Sequence, residues 1–136
     1  MDKNKLLLEN KFDEYVELIG EYFAIEDVVV RGLQIGKTIG YPTINFLIKE
    51  ELPLQCASFK SDVYYNGQKY IGYSCYWKNQ NQQIMFETYI MNFSQDVYGE
   101  TIKVVPRKFI SMNIKAKNLE EVKAKITKDI EKAKEW

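Results

Sequence analysis

Histidine is absent from this chain of 136 residues. That absence removes the Ser-His and Cys-His nucleophile schemes and most zinc sites at once. Catalysis here must rest on carboxylates, hydroxyls, amides, lysines, arginines or a bound metal. Cysteine is scarce too. Cys56 and Cys75 are the only two, too few for the framework of a small secreted domain. They are expected to be two buried or half-buried thiols, a single disulfide being the other option. Net charge is missing as well, because 19 basic residues balance 19 acidic ones. No bulk field then draws the chain to nucleic acid or to an acidic membrane. No apolar run approaches the length of a membrane span. The Leu6-Leu7-Leu8 run is too short for a signal-peptide core. The expectation is a cytoplasmic protein.

What is present suits one domain. Hydrophobic residues make up 46% and aromatics 14%, enough for a core without covalent staples. The chain reads as a single unit over 1–136: a leading helical segment (1–24), a β-rich body (25–110) and a closing helix (118–136). Phe12, Tyr15, Val16, Ile19 and Phe23 recur at three- and four-residue steps, which predicts a helix weakened at Gly20. Ile25–Leu33, with its valine run, predicts a strand. Gly36–Pro42 is punctuated as a loop, and Thr43–Ile48 can extend again. Asp62–Tyr65 and Lys69–Trp77 flank Asn66-Gly67, a hairpin turn signal. Ile84–Met91 and Thr101–Val105 are further strands, with Pro106 expected to end regular pairing. Asn118 and Glu121 form a capping box before the stripe Leu119, Val122, Ile126, Ile130 and Ala133. The lysines of that segment, Lys125 among them, alternate with acids and read as a solvated face. About six strands in sequence with a helix at each end predict a mainly β barrel or sandwich.

Gly32-Leu-Gln-Ile-Gly36-Lys37-Thr38 looks like a Walker A loop with one residue too few between its glycines. A phosphate-binding loop of that kind needs a helix after its Lys-Thr. Gly40 and Pro42 forbid one. Read alone, the stretch is a strand-end turn. The longer run Gly36-Lys-Thr-Ile-Gly40-Tyr-Pro-Thr43-Ile-Asn45 resembles the signature of riboflavin kinases, roughly Gly-Arg-x-Leu-Gly-Phe-Pro-Thr-Ala-Asn. Its glycines let backbone amides approach phosphates closely. Thr43 and Asn45, one residue apart, would share a strand face and could meet one ion.

A second stretch carries the same resemblance. Phe86-Glu87-Thr-Tyr-Ile-Met-Asn-Phe93, then Asp96-Val-Tyr-Gly99, is similar to the family's strand with a glutamate, its aromatic corner and its Leu-Tyr-Gly. Phe12–Val30 and Asn118–Trp136 resemble the segments that lead into and close the kinase module of bacterial bifunctional riboflavin kinase/FAD synthetases. The resemblance implies a six-stranded antiparallel Greek-key β-barrel with a short N-terminal and a C-terminal helix. It implies an ATP:riboflavin 5′-phosphotransferase that makes FMN. Gly36, Lys37, Gly40, Thr43 and Asn45 would bind ATP. Thr43 and Asn45 would also hold Mg²⁺ or another divalent cation, and Glu87 would be the catalytic carboxylate. Riboflavin/FMN and ATP/ADP are the expected ligands of a monomer, with no nucleic-acid or membrane partner. FAD synthesis is not expected, because the adenylyltransferase domain depends on a histidine motif.

The departures fall on the flavin side, where the contact residues stay open. Asp62 stands where the family usually has glycine. Tyr76–Gln83 replaces a Gly-x-x-Pro-Thr loop. Ile110-Ser111 replaces a Leu-Arg pair, so that Arg107 is the nearest arginine. Lys37 keeps the charge of the usual arginine without its bidentate geometry. A catalytically weak or inactive paralogue that binds flavin or nucleotide is the alternative reading. A barrel for single-stranded nucleic acid is disfavoured by the lack of a basic stripe. The strand aromatics Tyr64, Tyr65, Tyr70, Tyr73, Tyr76 and Trp77 could stack on a ring, although packing is the expected role for most.

Overall fold

The computed structural model describes residues 2–31, 40–78 and 81–136. Among them are strands β1 (Ile25–Val28), β2 (Ile44–Ile48), β3 (Ala57–Tyr65), β4 (Gln68–Lys78), β5 (Ile84–Ile90) and β6 (Thr101–Met112). Helices α1 (Lys3–Leu8) and α2 (Phe12–Ile19) precede the strands and α3 (Leu119–Glu135) follows them.

Asn66 and Gly67 have φ of 53° and 77°, the backbone of a type I′ turn whose twist matches its flanking strands. That turn fixes the β3–β4 register, with Tyr65 opposite Gln68. The sheet order is β1-β6-β3-β4-β5-β2, every pair antiparallel. β3, β4 and β5 form a meander, and β6 returns to lie beside β3, which is a Greek key. The two edges then meet: Val30 N–H donates to the Asn45 carbonyl at 2.8 Å in an antiparallel bridge. The sheet is thus a nearly closed barrel, with no long edge left open on that side.

Alternation sorts the side chains. Phe46, Phe59, Phe86, Val63, Ile102 and Val104 fill the interior and are essentially inaccessible. Leu6, Leu7 and Phe12 close one end of this core, with the Phe12 ring edge-on to Phe59 at 5.8 Å. Two short helices therefore stand where one was expected. Asp2 caps α1 through the amide of Asn4, and Asn10, with φ of 62°, turns the chain into α2. Gly20 ends α2 in the left-handed region at φ 94°, the usual backbone after a helix.

Regular pairing with β3 breaks beside Pro106, as expected, but the strand does not end there. β6 runs on to Met112 through two register shifts opposite β3. Pro106 lies opposite Ser61 beside one of them. A shift is a place where a ladder donor can be missing. α3 begins as expected: Asn118 Oδ1 accepts from Glu121 N–H at 2.9 Å. Glu121 in turn accepts from Lys117 N–H at 2.8 Å. The solvated-face reading fails at Lys125, however. Its ammonium turns inward and donates to Ser58, Ser111 and Asp129 at 3.1, 3.1 and 2.9 Å. Asp129 is 2% exposed and accepts from Tyr73 and Ser111 at 3.0 and 2.7 Å. Asp129 is thus the centre of a polar clamp between α3 and the barrel wall.

Candidate functional site

The site lies on the outer face of the barrel, where β2 and β5 run side by side. Phe86 and Thr88 of β5 point into the core, so period two places Glu87 on the opposite face. Asn45 of β2 is its direct cross-strand partner. Thr43 Oγ1 donates to Glu87 Oε1 at 3.4 Å. Asn45 Nδ2 donates to the Thr43 carbonyl at 3.3 Å. The three residues picked out in two distant stretches are therefore one cluster. Gly40, also picked out, is exposed with φ of 92°, a backbone that only glycine adopts without strain. Gly36 and Lys37 lie outside the described residues.

Two clefts meet at this cluster. The larger, of about 490 Å³, lies between the outer face of β4 and β5 and the first turns of α3. Trp77, Tyr73 and Glu87 line its barrel side, and Leu119, Val122 and Ile126 its helical side. The second, of about 380 Å³, is bounded by Val29–Arg31, Pro42–Asn45 and the segment 94–98. Thr43 borders both. At the second cleft, Tyr98 N–H donates to Asp96 Oδ1 at 3.1 Å. The Arg31 guanidinium lies 4.4 Å above the Tyr98 ring, a cation–π contact.

The electrostatics of Glu87 come from opposed effects. Burial pushes its carboxyl above the usual range, while hydrogen bonds from Trp77 and Thr43 pull the other way, and burial prevails. A carboxylate raised towards neutrality is a better proton acceptor. Cys75, on the cleft wall, is pushed up to about 11 by burial, which makes it a poor nucleophile. It is half-buried as expected, whereas Cys56 is exposed, and both are free thiols.

A divalent cation fits the oxygens at hand. Asn45 is 4% exposed, and its Oδ1 is buried with no hydrogen-bond partner, although such acceptors are normally satisfied. Thr43, two residues before it in the chain, has its hydroxyl bonded to Glu87. A hard, oxygen-only set of few protein ligands is what Mg²⁺ takes when phosphates and waters complete its shell. Among the described residues no cluster of three or more acidic, cysteine or histidine side chains offers an alternative metal site.

The departures from the family pattern also find their places. Asp62 is buried at 4% and bonded to Arg107 at 2.7 Å, with Lys69 at 3.7 Å. Arg107 stacks on Tyr22 and does not line the large cleft. Ser111, where the usual arginine would stand, serves the clamp on Asp129. Of the strand aromatics, Tyr76 is in the core, Tyr65 and Tyr70 pack on Phe93, and Trp77 faces the cleft. Trp77 Nε1–H donates to Glu87 Oε2 at 2.6 Å. Sequence reasoning raised Trp77 only as one of several strand aromatics that could stack on a ring, and it missed Lys125 and Asp129 as supports of the site.

Such a chain is a small Greek-key barrel with a hydroxyl–amide–carboxylate cluster between two clefts on its outer face. Comparison with known proteins supplies its family. The riboflavin kinase family model matches residues 19–136, and the chain belongs to that family. It is 32% identical over 122 residues to a bifunctional riboflavin kinase/FMN adenylyltransferase of Mycoplasma pneumoniae, covering 88% of this chain and 44% of that protein. It is 30% identical over 140 residues to the protein so described in Buchnera aphidicola, covering 97% and 44%. The chain thus spans less than half the length of these relatives. Among solved structures, a Streptococcus pneumoniae protein described as a macrolide-efflux protein superposes with a TM-score of 0.86 at 28% identity, over 98% of this chain and 45% of that one. Riboflavin kinase from Trypanosoma brucei superposes at 0.60 and 17% identity, over 82% and 77%, and shares the fold.

Proposed function

We propose that this chain transfers the γ-phosphoryl group of ATP to the 5′-hydroxyl of riboflavin, giving FMN and ADP. The observation that carries the reading is the junction: Thr43 borders both clefts, and Glu87, bonded to it, opens into the larger one. A reaction between two bound substrates needs such a meeting point, with the nucleophile at one side and the phosphates at the other. The apolar cleft suits a flat heteroaromatic ring system. The second cleft, bounded by the signature residues, suits the nucleotide.

The chemistry follows from the residues. Glu87 Oε1 accepts or orients the proton of the flavin 5′-hydroxyl as its oxygen bonds to the γ-phosphorus. The bond from that phosphorus to the β-phosphate bridging oxygen breaks, and ADP leaves with the electron pair. Thr43 and Asn45 would hold the divalent cation, which neutralises phosphate charge when bound. Among the described residues no helix is long and apolar enough to cross a membrane.

The test is conversion of riboflavin to FMN by purified protein with ATP and Mg²⁺. Glu87→Gln is expected to lower kcat by about 10²–10⁴-fold and to leave the fold intact. Chelation of the metal should abolish turnover, and added Mg²⁺ should restore it. Tight FMN binding without turnover in the wild type would instead select the non-catalytic paralogue.

A further inference from the structure

Trp77 occupies a position that the family pattern does not foresee. It lies inside the Tyr76–Gln83 stretch that replaces the usual Gly-x-x-Pro-Thr loop. It pairs with Met85 on β5, and Glu87 pairs with Cys75 on β4, so Trp77 and Glu87 are diagonal neighbours on one sheet face. The indole Nε1–H reaches Glu87 Oε2 at 2.6 Å, short even for a charge-assisted bond. Among the described residues the other oxygen, Oε1, has only the long contact from Thr43 at 3.4 Å. The carboxylate is therefore held at one oxygen and left available at the other. The available oxygen is on the side where the two clefts meet.

Other donors would serve less well. An indole N–H donates one hydrogen bond and cannot accept one, so Trp77 cannot compete for the proton that Glu87 has to take. Its ring is large, carries only two side-chain torsions, and is packed on the cleft wall. A donor so fixed does not wander between the two carboxylate oxygens.

We infer that Trp77 is a positioning residue of this site: its indole N–H locks Oε2 of Glu87 and thereby presents Oε1 to the hydroxyl of the substrate in the larger cleft. The inference rests on the kinase reading above. It also gives the altered loop a function, because the segment that lost the family motif supplies the donor that orients the carboxylate.

Trp77→Phe tests it, because phenylalanine keeps an aromatic ring on the wall and removes the N–H. The expected result is a fall in kcat of about 10- to 100-fold with KM for riboflavin changed by less than about three-fold. In the Glu87→Gln background the same change should lower the residual rate no further, since the two act as one unit. An unchanged kcat in Trp77→Phe overturns the inference, as does a second full loss on top of Glu87→Gln. A readout independent of turnover is the indole Nε1–H resonance in labelled protein, assigned by comparison with Trp136→Phe. It should lie far downfield and move upfield in Glu87→Gln. A resonance that ignores Glu87→Gln shows that the bond is not there and overturns the inference. Wild-type protein that makes no FMN overturns the kinase reading, and the positioning role with it, whatever the resonance does.

Discussion

Glu87 shows how a single residue can be useful and costly together. Burial raises its carboxyl above the ordinary glutamate range, so the folded chain binds its proton more readily than the unfolded chain does. Stability then falls as pH rises from the unfolded glutamate value through the folded one. Glutamine fits the same bonds, accepting from Trp77 and pairing with the Thr43 hydroxyl. Glu87→Gln should therefore be more stable than wild type at neutral pH, with the gain vanishing below about pH 4, near the unfolded value. Urea denaturation at the two pH values measures it, and an equal or lower midpoint at neutral pH would sink the account. Gly72 is constrained by space alone. A Cβ there would sit 2.7 Å from Thr88 Cγ2 and 2.8 Å from Val63 Cγ2, so Gly72→Ala should cost about 1–3 kcal/mol through overpacking. The same denaturation experiment reads this as a lower midpoint at unchanged slope.

At the scale of elements, α3 decides the shape of the larger cleft. Its N-terminal turns form one wall, and polar contacts centred on Thr127 and on Asp129 hold it down. Tyr41, in the signature loop, bonds its hydroxyl to Thr127 at 2.8 Å. Asp129 collects Tyr73, Ser111 and Lys125. Lys125→Met would leave the Asp129 charge buried without its cation, at a cost of about 3–5 kcal/mol. Hydrogen exchange should then show α3 opening well before the β3–β6 ladder. Replacing Asp129 as well, by leucine, should recover part of the loss, because removing both partners of a buried pair costs less than removing one. A single mutant that leaves α3 as protected as wild type would count against the clamp. The elements themselves were largely readable from the residues. The Asn66-Gly67 turn, the Asn118 cap and the alternation in β5 are local signals, decided within a few residues. The continuation of β6 past Pro106 was not readable, because the irregular register that tolerates a missing donor belongs to the partner strand as much as to β6. Lys125 was misread for a similar reason: a helical lysine shows its surroundings only when the facing wall is known.

For the whole molecule, the closed barrel brings together what the chain separates. Val30 and Asn45 form an antiparallel bridge, so closing the barrel also brings together the two ends of the stretch that contains the signature. If the two clefts serve flavin and nucleotide, ligands of each kind should stabilise the fold independently. FMN or Mg²⁺–ADP at about a hundred times its Kd should each add about 2.7 kcal/mol, and both together should add more than either. Thermal denaturation with each ligand and with the pair would reveal this. A nucleotide that shifts nothing while FMN does would argue against the second cleft as its site. Residue chemistry by itself determined that no histidine mechanism is possible and that a mainly β chain closes with a capped helix, which are properties of composition and short-range pattern. Only the resemblance to the riboflavin kinase signature singled out Thr43, Asn45 and Glu87. Tertiary structure alone decided that Asn45 and Glu87 are cross-strand partners with Thr43 beside them, that Trp77 holds the carboxylate, and that Lys125 and Asp129 pin the cleft wall. These depend on strand register and on which faces meet when the barrel closes, distances that no local stretch of sequence contains.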